Sequence, residues 1–218
     1  MIQIYDGNGK GKTTAAIGLA VRAAGHQIPV LFIQFLKDAH SGEISVLRHI
    51  PGVHVLHAEH FFGFSFRMTE EEKEISREEY RGLLTSAALF LSEHTEKIPD
   101  GSKNSAELCL LKNQAANKDP YDMKHQGDGK NLNDRDSASP DCLIVLDEVL
   151  HAVNAGLLEE SELLHFLDEA KCSLGAEIVL TGTDPGEEIS KRADYISEIR
   201  KVRHPFDRGI LARKGIEE

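Results

Sequence analysis

Short continuous apolar runs alternate along the chain with segments in which apolar residues recur every three or four positions, and the two patterns mark strands and helices respectively. IQIY at residues 2–5 is an apolar and aromatic run that stops at a glycine-rich turn. TTAAIGLAVRAAG follows, rich in alanine, and sets Ala16, Leu19, Ala20 and Ala23 on one side of a helix that Gly25 closes. PVLFIQFL at 29–36 is apolar almost throughout, as a strand covered on both faces requires. Strand, helix and strand of this length form the βαβ unit of a parallel sheet. VHVL at 53–56 predicts a further strand, followed by the aromatic stretch HFFGFSF at 60–66. From Thr69, a capping residue followed by a crowd of acids, a long helix is predicted with Leu83, Leu84, Ala87, Ala88 and Leu91 on its packed side. CLIVLDE at 142–148 is a buried strand ending in two carboxylates. Residues 157–171 form an amphipathic helix through Leu158, Leu163, Leu164 and Leu167, with Glu160 inside the stripe. AEIVLTG at 176–182, a short helix in EEISKRA and a last strand in YISEIR at 195–200 complete the order. The predicted fold is α/β: a mostly parallel β-sheet flanked by helices, with ligands outside the carboxyl ends of its strands.

One stretch breaks the alternation. Residues 97–141 are polar, rich in glycine and asparagine, and weak in sheet formers apart from CLL at 109–111. A segment this long without periodicity reads as a flexible surface insertion in a single domain spanning 1–218, with a functional lid as the alternative.

Composition narrows the partners. A formal net charge of −11 gives no overall attraction to nucleic acid or anionic membranes. Cys109, Cys142 and Cys172 are odd in number and lack CxxC spacing, which suits a reducing compartment. The start MIQIYDG has no basic region leading into an apolar segment, and no stretch nears the roughly 18 apolar residues that span a bilayer. The expectation is a cytoplasmic protein with no nucleic-acid or membrane partner. Eleven histidines show neither HExxH nor zinc spacing, so they are taken as surface or packing residues. Asn117-Lys118-Asp119 approaches a guanine-recognition motif, but Pro120 follows it and GTP specificity is set aside.

The chemistry concentrates in GNGKGKTTA, residues 7–15, which is one residue short of the usual phosphate loop because Asp6 stands where its first glycine would be. A strand feeding such a loop into a helix N-terminus gathers backbone N–H groups and the positive helix end around one anion. Gly7, Gly9 and Gly11 let the backbone turn, with Asn8 and Lys10 between them. Lys12 brings a mobile positive charge, the Thr13 hydroxyl is placed to reach a magnesium ion, and Thr14 continues the cradle. Asp147, at the end of its apolar strand, is the acid that accompanies such a loop and holds magnesium directly or through water. Glu148 shares that metal, polarises water, or faces solvent. Together these residues predict a nucleotide site in which Lys12 and Thr13 meet the charge of the polyphosphate.

Several stretches in order resemble the ATP:corrinoid adenosyltransferases: the shortened loop at 7–16, RAAGH at 22–26, QFLK at 34–37, Gly42-Glu43, LDE at 146–148, Thr181-Gly182, the AD-x-x-SE pattern at 193–198, and HPFDRGILARKGIE at 204–217. The resemblance covers nearly the whole chain outside 97–141 and makes the short loop a family trait. It implies a RecA-like P-loop fold and transfer of the 5′-deoxyadenosyl group of ATP to a Co(I) corrinoid with release of triphosphate. It also implies Mg2+, a cellular electron donor or reductase, and a homodimer. Phe64 and Phe66 lie where the family has an aromatic-rich loop, and there they exclude a lower axial ligand from cobalt or else fill core space. Thr183 departs from the family by replacing an arginine after the Thr-Gly pair, and Phe66 by replacing a tryptophan. Arg203, His204, Arg208, Arg213 and Lys214 form a basic tail for corrinoid carboxylates, triphosphate, solvent or a dimer contact. The alternatives are a P-loop ATPase or small-molecule kinase, which would yield ADP, and a carrier that binds ATP and corrinoid without changing either.

Overall fold

The continuous apolar runs become the middle of a sheet because both of their faces meet helices. A computed structural model describes residues 1–37, 41–63, 65–95, 139–203, 205–209, 213 and 215–216. Its six strands are β1 (Ile2–Asp6), β2 (Val30–Gln34), β3 (Val53–His57), β4 (Cys142–Asp147), β5 (Ala176–Thr181) and β6 (Tyr195–Glu198). They lie in the order β3-β2-β4-β5-β1-β6, and every neighbouring pair is parallel. The helices are α1 (Lys12–Gly25), α2 (Gly42–Leu47), α3 (Glu70–His94), α4 (Val149–Asn154), α5 (Glu160–Lys171) and α6 (Gly186–Ser190).

Alternation along each strand splits the core in two. Phe32, Leu143, Val145 and Val179 point to the face covered by Ala16, Ala20 and Ala23 of α1. Ile33, Ile144, Leu146, Ile178 and Leu180 point to the opposite face, where Leu84, Ala87 and Leu91 of α3 meet Leu163, Phe166 and Leu167 of α5. Small residues on α1 let that helix approach the sheet closely, while α3 and α5 fill a thicker layer with leucine. Truncating any of these leucines to alanine costs about 2–5 kcal/mol. β6 differs: all four of its residues are exposed, which marks it as a sheet edge.

Thr69 caps α3 as predicted, through a reciprocal pair in which its hydroxyl oxygen accepts from the Glu72 N–H and the Glu72 carboxylate accepts from the Thr69 N–H. Gly25 closes α1 as predicted, as its last residue, and the left-handed turn falls on Gln27, φ 61°. Two local expectations are corrected. The helix predicted from 157 begins at Glu160. Leu157 and Leu158 are buried outside it, their N–H groups donating to the Ala152 carbonyl at 3.0 and 3.3 Å. Their apolarity serves a loop that closes the end of α4, and not a helical stripe. Finally, α2 and α4 have no counterpart in the predicted order. The stretch expected to be an insertion, apart from its last residues 139–141, lies outside the described residues, as do Phe64, His204 and Lys214. Among the described residues no helix is long and apolar enough to cross a membrane.

Because every strand is parallel, one edge of the sheet collects all the carboxyl ends. The glycine-rich loop follows β1 there. Gln34 to Lys37 follow β2, the aromatic stretch follows β3, Asp147 and Glu148 end β4, and Thr181 to Asp184 end β5.

Candidate functional site

The loop after β1 is built against the chain that leaves β6. Ile199 N–H donates to the Asp6 carbonyl at 2.7 Å, Gly9 N–H donates to the Ile199 carbonyl at 2.8 Å, and Lys201 N–H donates to the Asn8 side-chain oxygen at 2.9 Å. The β1–β6 pairing thus continues into the loop. A Cβ on Gly9 would sit 2.7 Å from the Ile199 carbonyl oxygen, so no side chain fits there. Gly11 has open space around it but a φ of 121°, and its glycine is required by conformation alone. Asp6 holds the loop from its other side. Its carboxylate accepts from Gly7 N–H at 2.6 Å and from Asp184 N–H at 3.0 Å, tying the loop to the segment after β5. The N–H groups of Gly7 and Gly9 are therefore used inside the protein. The first intrahelical bond of α1 runs from Ala15 N–H to the Gly11 carbonyl at 2.8 Å, so the amides of Lys12, Thr13 and Thr14 are the helix-end donors available to an anion. Asn8, Lys10 and Thr14 are exposed.

Lys12 folds back over this loop, its Nζ donating to the carbonyls of Gly7 at 2.7 Å and Gly9 at 3.3 Å. Thr13 Oγ1 accepts from Lys37 Nζ at 3.1 Å. The same ammonium is 3.0 Å from Asp147 Oδ2. The structure therefore joins Thr13 and Asp147, the two residues assigned to one metal, through the lysine of QFLK.

Asp147 is fully buried and its oxygens are shared out. Thr181 Oγ1 donates to Oδ1 at 2.7 Å, while Gln34 Nε2 at 3.3 Å and Lys37 Nζ both donate to Oδ2. A buried carboxylate needs this: stripped of its cation it would destabilise the fold by about 3–5 kcal/mol. Glu148 has a different setting. Its backbone is left-handed, φ 64°, with its N–H donating to Thr181 Oγ1 at 2.8 Å. Its carboxylate pairs with His151 Nδ1, and His151 Nε2 meets Thr183 Oγ1 at 2.7 Å. Burial alone would push the Glu148 carboxyl up, but the His151 hydrogen bond and the charges of His151, Lys37 and Lys12 outweigh it and hold the group below its ordinary range. Glu148 thus does not simply face solvent, and Thr183 is engaged by an imidazole. An open cleft of about 480 Å³ beside the loop is lined by Asp6, Gly7, Asn8, Thr183, Asp184 and Arg200, among others.

The aromatic stretch divides. Phe62 packs against the core, whereas Phe61 is 50% and Phe66 77% exposed. Phe66 sits in a 3-10 turn at Ser65–Arg67, with the Arg67 guanidinium 5.5 Å from its ring centre. His60 stacks on Phe62 at 5.6 Å and holds Glu79 of α3 through Nδ1 at 2.6 Å. With Glu59 these two groups put three potential ligand atoms within 4.8 Å of one another, at the surface. Of the basic tail, Arg203, Arg208 and Arg213 are exposed.

The loop residues, Asp147 and Glu148 are where the sequence places them, at the ends of β1 and β4. As site residues, Gln34, Lys37 and Thr181 enter the sequence reading only through the family resemblance; Ile199 and Arg200 enter it only as the end of the last strand, and His151 and Lys201 have no part in it. A polar residue closing each apolar strand, Gln34 on β2 and Thr181 on β5 beside Asp147 on β4, was the available signal.

The family model for ATP:corrinoid adenosyltransferase BtuR/CobO/CobP matches residues 1–217. A corrinoid adenosyltransferase of Pseudomonas aeruginosa is 27% identical over all of this chain and 83% of its own length. The corrinoid adenosyltransferase CobA of Salmonella typhimurium is 28% identical over all of this chain and 85% of its own. Among solved structures, ATPases 2 and 3 of EssC from Geobacillus thermodenitrificans align with a TM-score of 0.46 at 13% identity, covering 98% of this chain and 34% of that one, a likeness too loose to argue from. With the match running from the first strand through the loop to the basic tail, the chain belongs to the ATP:corrinoid adenosyltransferase family.

Proposed function

We propose that the protein transfers the 5′-deoxyadenosyl group of ATP to the Co(I) centre of a corrinoid, releasing triphosphate, in the synthesis or salvage of adenosylcobalamin. The observation that carries this reading is the family match over residues 1–217. The reduced cobalt of the substrate is already a strong nucleophile; it attacks ribose C5′, the C5′–O bond breaks, and its electron pair leaves with the triphosphate. No serine or cysteine has to be activated, which leaves binding, orientation and charge stabilisation to the protein. Negative charge gathers on the leaving oxygen, and Lys12, with the first-turn amides of α1, stabilises it where it develops. That assignment is supported by a Lys12 ammonium already directed at the loop it would share with phosphate.

The residues fit a divalent cation held with ATP: Thr13 Oγ1 and Asp147 Oδ2 are hard oxygen donors that converge on one positive group, the Lys37 ammonium, with Glu148 near the same lysine. Mg2+ there would neutralise triphosphate charge. Phe66, and with it Phe64, would offer the corrin an apolar face that keeps a lower axial ligand off cobalt and eases its reduction; the exposure of Phe66 favours this over core filling. A cellular electron donor, a homodimer and a cytoplasmic setting go with the reading.

The test is anaerobic incubation with chemically reduced corrinoid and Mg-ATP, followed by product mass and phosphate analysis. A cobalt–carbon product with one triphosphate per turnover is expected; ADP without that product, or both ligands recovered unchanged, overturns the assignment.

A further inference from the structure

The most informative group outside the predicted site is Lys37. Its ammonium lies 3.1 Å from Thr13 Oγ1 and 3.0 Å from Asp147 Oδ2, between the two oxygens that the nucleotide reading gives to a divalent cation. We propose that Lys37 is a built-in occupant of the metal position, which a divalent cation must displace, so that metal enters with the polyphosphate and not alone. This inference rests on the adenosyltransferase reading for the identity of the polyphosphate.

Three observations carry it. First, the carboxylate is wholly buried, and besides two neutral donors, Gln34 and Thr181, the cation bonded to it is Lys37. A bare divalent ion arriving at Asp147 would have to break that pair and leave an ammonium beside a second positive charge, which at such separations is strongly unfavourable. A polyphosphate reverses the balance, since it brings both oxygens for the metal and an anionic destination for the lysine. Second, Lys37 follows directly on an anchored stretch. Phe35 is buried against the Tyr80 ring at 5.2 Å, and Leu36 N–H donates to the Tyr80 hydroxyl at 3.1 Å. The backbone is thus anchored through Leu36, itself left-handed at φ 53°. Lys37 is the next residue, and its side chain is 30% exposed. Its four-carbon stem can carry the ammonium away without disturbing β2. Third, Lys12 too is held by internal acceptors, here the neutral carbonyls of Gly7 and Gly9. Two ammonium groups therefore lie where phosphate and metal would draw on them, and one ligand that recruits both couples the two binding events.

The experiment titrates Mn2+ into the full-length protein without nucleotide and then with inorganic triphosphate, and reads protein-bound Mn2+ as the excess on the protein side of an equilibrium dialysis, because triphosphate alone also binds the ion. Wild type should bind Mn2+ weakly alone and at least tenfold more tightly with triphosphate. Lys37→Met should bind Mn2+ alone at least tenfold more tightly than wild type, and Lys37→Arg should behave as wild type. The Lys37→Met melting temperature should fall without metal and recover with Mn2+; if that variant does not fold, Lys37→Gln, which keeps a donor toward Asp147, takes its place with the same expectation. Adding Thr13→Val to Lys37→Met locates the ion, because the gain should vanish. A gain that survives Thr13→Val places the metal elsewhere, for instance at Glu59, His60 and Glu79, and overturns the proposal. Equal Mn2+ affinity in wild type and Lys37→Met overturns it too. If wild type forms the cobalt–carbon product while these affinities are equal, the inference alone has failed. If the affinities differ as expected but no product forms, the functional reading has failed.

Discussion

The phosphate loop and the aromatic stretch sit at the same edge of the sheet, yet they are built in opposite ways. The loop is locked: Gly9 abuts the backbone of Ile199, Asp6 ties it to Asp184, and its lysine is bonded to its own carbonyls. The aromatic stretch is tethered through the packed ring of Phe62 and the exposed His60–Glu79 pair, and it presents Phe66 outward. A small, highly charged group with fixed geometry rewards a rigid cradle. A broad apolar macrocycle rewards exposed ring surface. On the proposed function, polyphosphate is met by a fixed loop together with its lysine, and the corrinoid by exposed rings.

Four changes test this contrast. Lys12→Ala should have the largest effect, lowering adenosylation by about 100-fold or more in the anaerobic assay, the scale of losing one donor to developing negative charge. A loss under threefold would mean that the helix amides suffice and that the loop's lysine is dispensable. Gly9→Ala should destabilise the protein by about 1–3 kcal/mol in urea unfolding, since its Cβ meets backbone and not a side chain that can move. An unchanged midpoint would show that the loop is looser than its packing implies. Phe66→Ala should reduce adenosylation about tenfold while leaving ATP binding, by calorimetry, within twofold and the melting temperature nearly unchanged, because the ring is 77% exposed. Equal loss of ATP affinity and turnover would remove the proposed division of labour.

The smallest effect concerns the tether. The Glu79 hydrogen bond and charge raise the His60 pKa above its ordinary 6.5. A group whose folded pKa is raised contributes stability that is full below its unfolded pKa and is lost as pH rises through the folded value. Glu79→Gln should therefore lower the melting temperature slightly below about pH 6.5 and progressively less at higher pH, approaching no difference once His60 is neutral in both states. A difference that grows toward high pH would mean the pair acts through something other than the imidazolium.

Three of the four interior strands were legible in the sequence because burial on both faces makes them apolar almost to their last residue, as VLFIQ, CLIVLD and AEIVLT show. β1 was legible through the loop that follows it. α2 and α4 were not, since six residues are too few for a 3.6-residue period to declare itself. The start of α5 was misplaced because apolar residues that close a loop, Leu157 and Leu158, look like those of a helix. In the site, the glycines, Lys12 and Thr13 were legible because backbone geometry fixes their order along one stretch, and Asp147 because it ends an apolar strand. The partners of Asp147 were not, since Gln34, Lys37 and Thr181 come from other strand ends and meet it only through the order β2-β4-β5. The left-handed backbone at Glu148, a residue type with no preference for it, left no mark in the composition.

The junction between the loop and Ile199–Lys201 has a thermodynamic corollary. A loop whose shape is already imposed by its neighbours has little conformational freedom left to lose, so nearly all of the favourable contact energy with nucleotide would go into affinity and orientation. It also makes the strand-to-tail passage part of the loop's foundation: loosening residues 199–201 would release the geometry that the Ile199 and Lys201 backbone imposes on Gly9 and Asn8, besides altering the cleft wall that Arg200 provides.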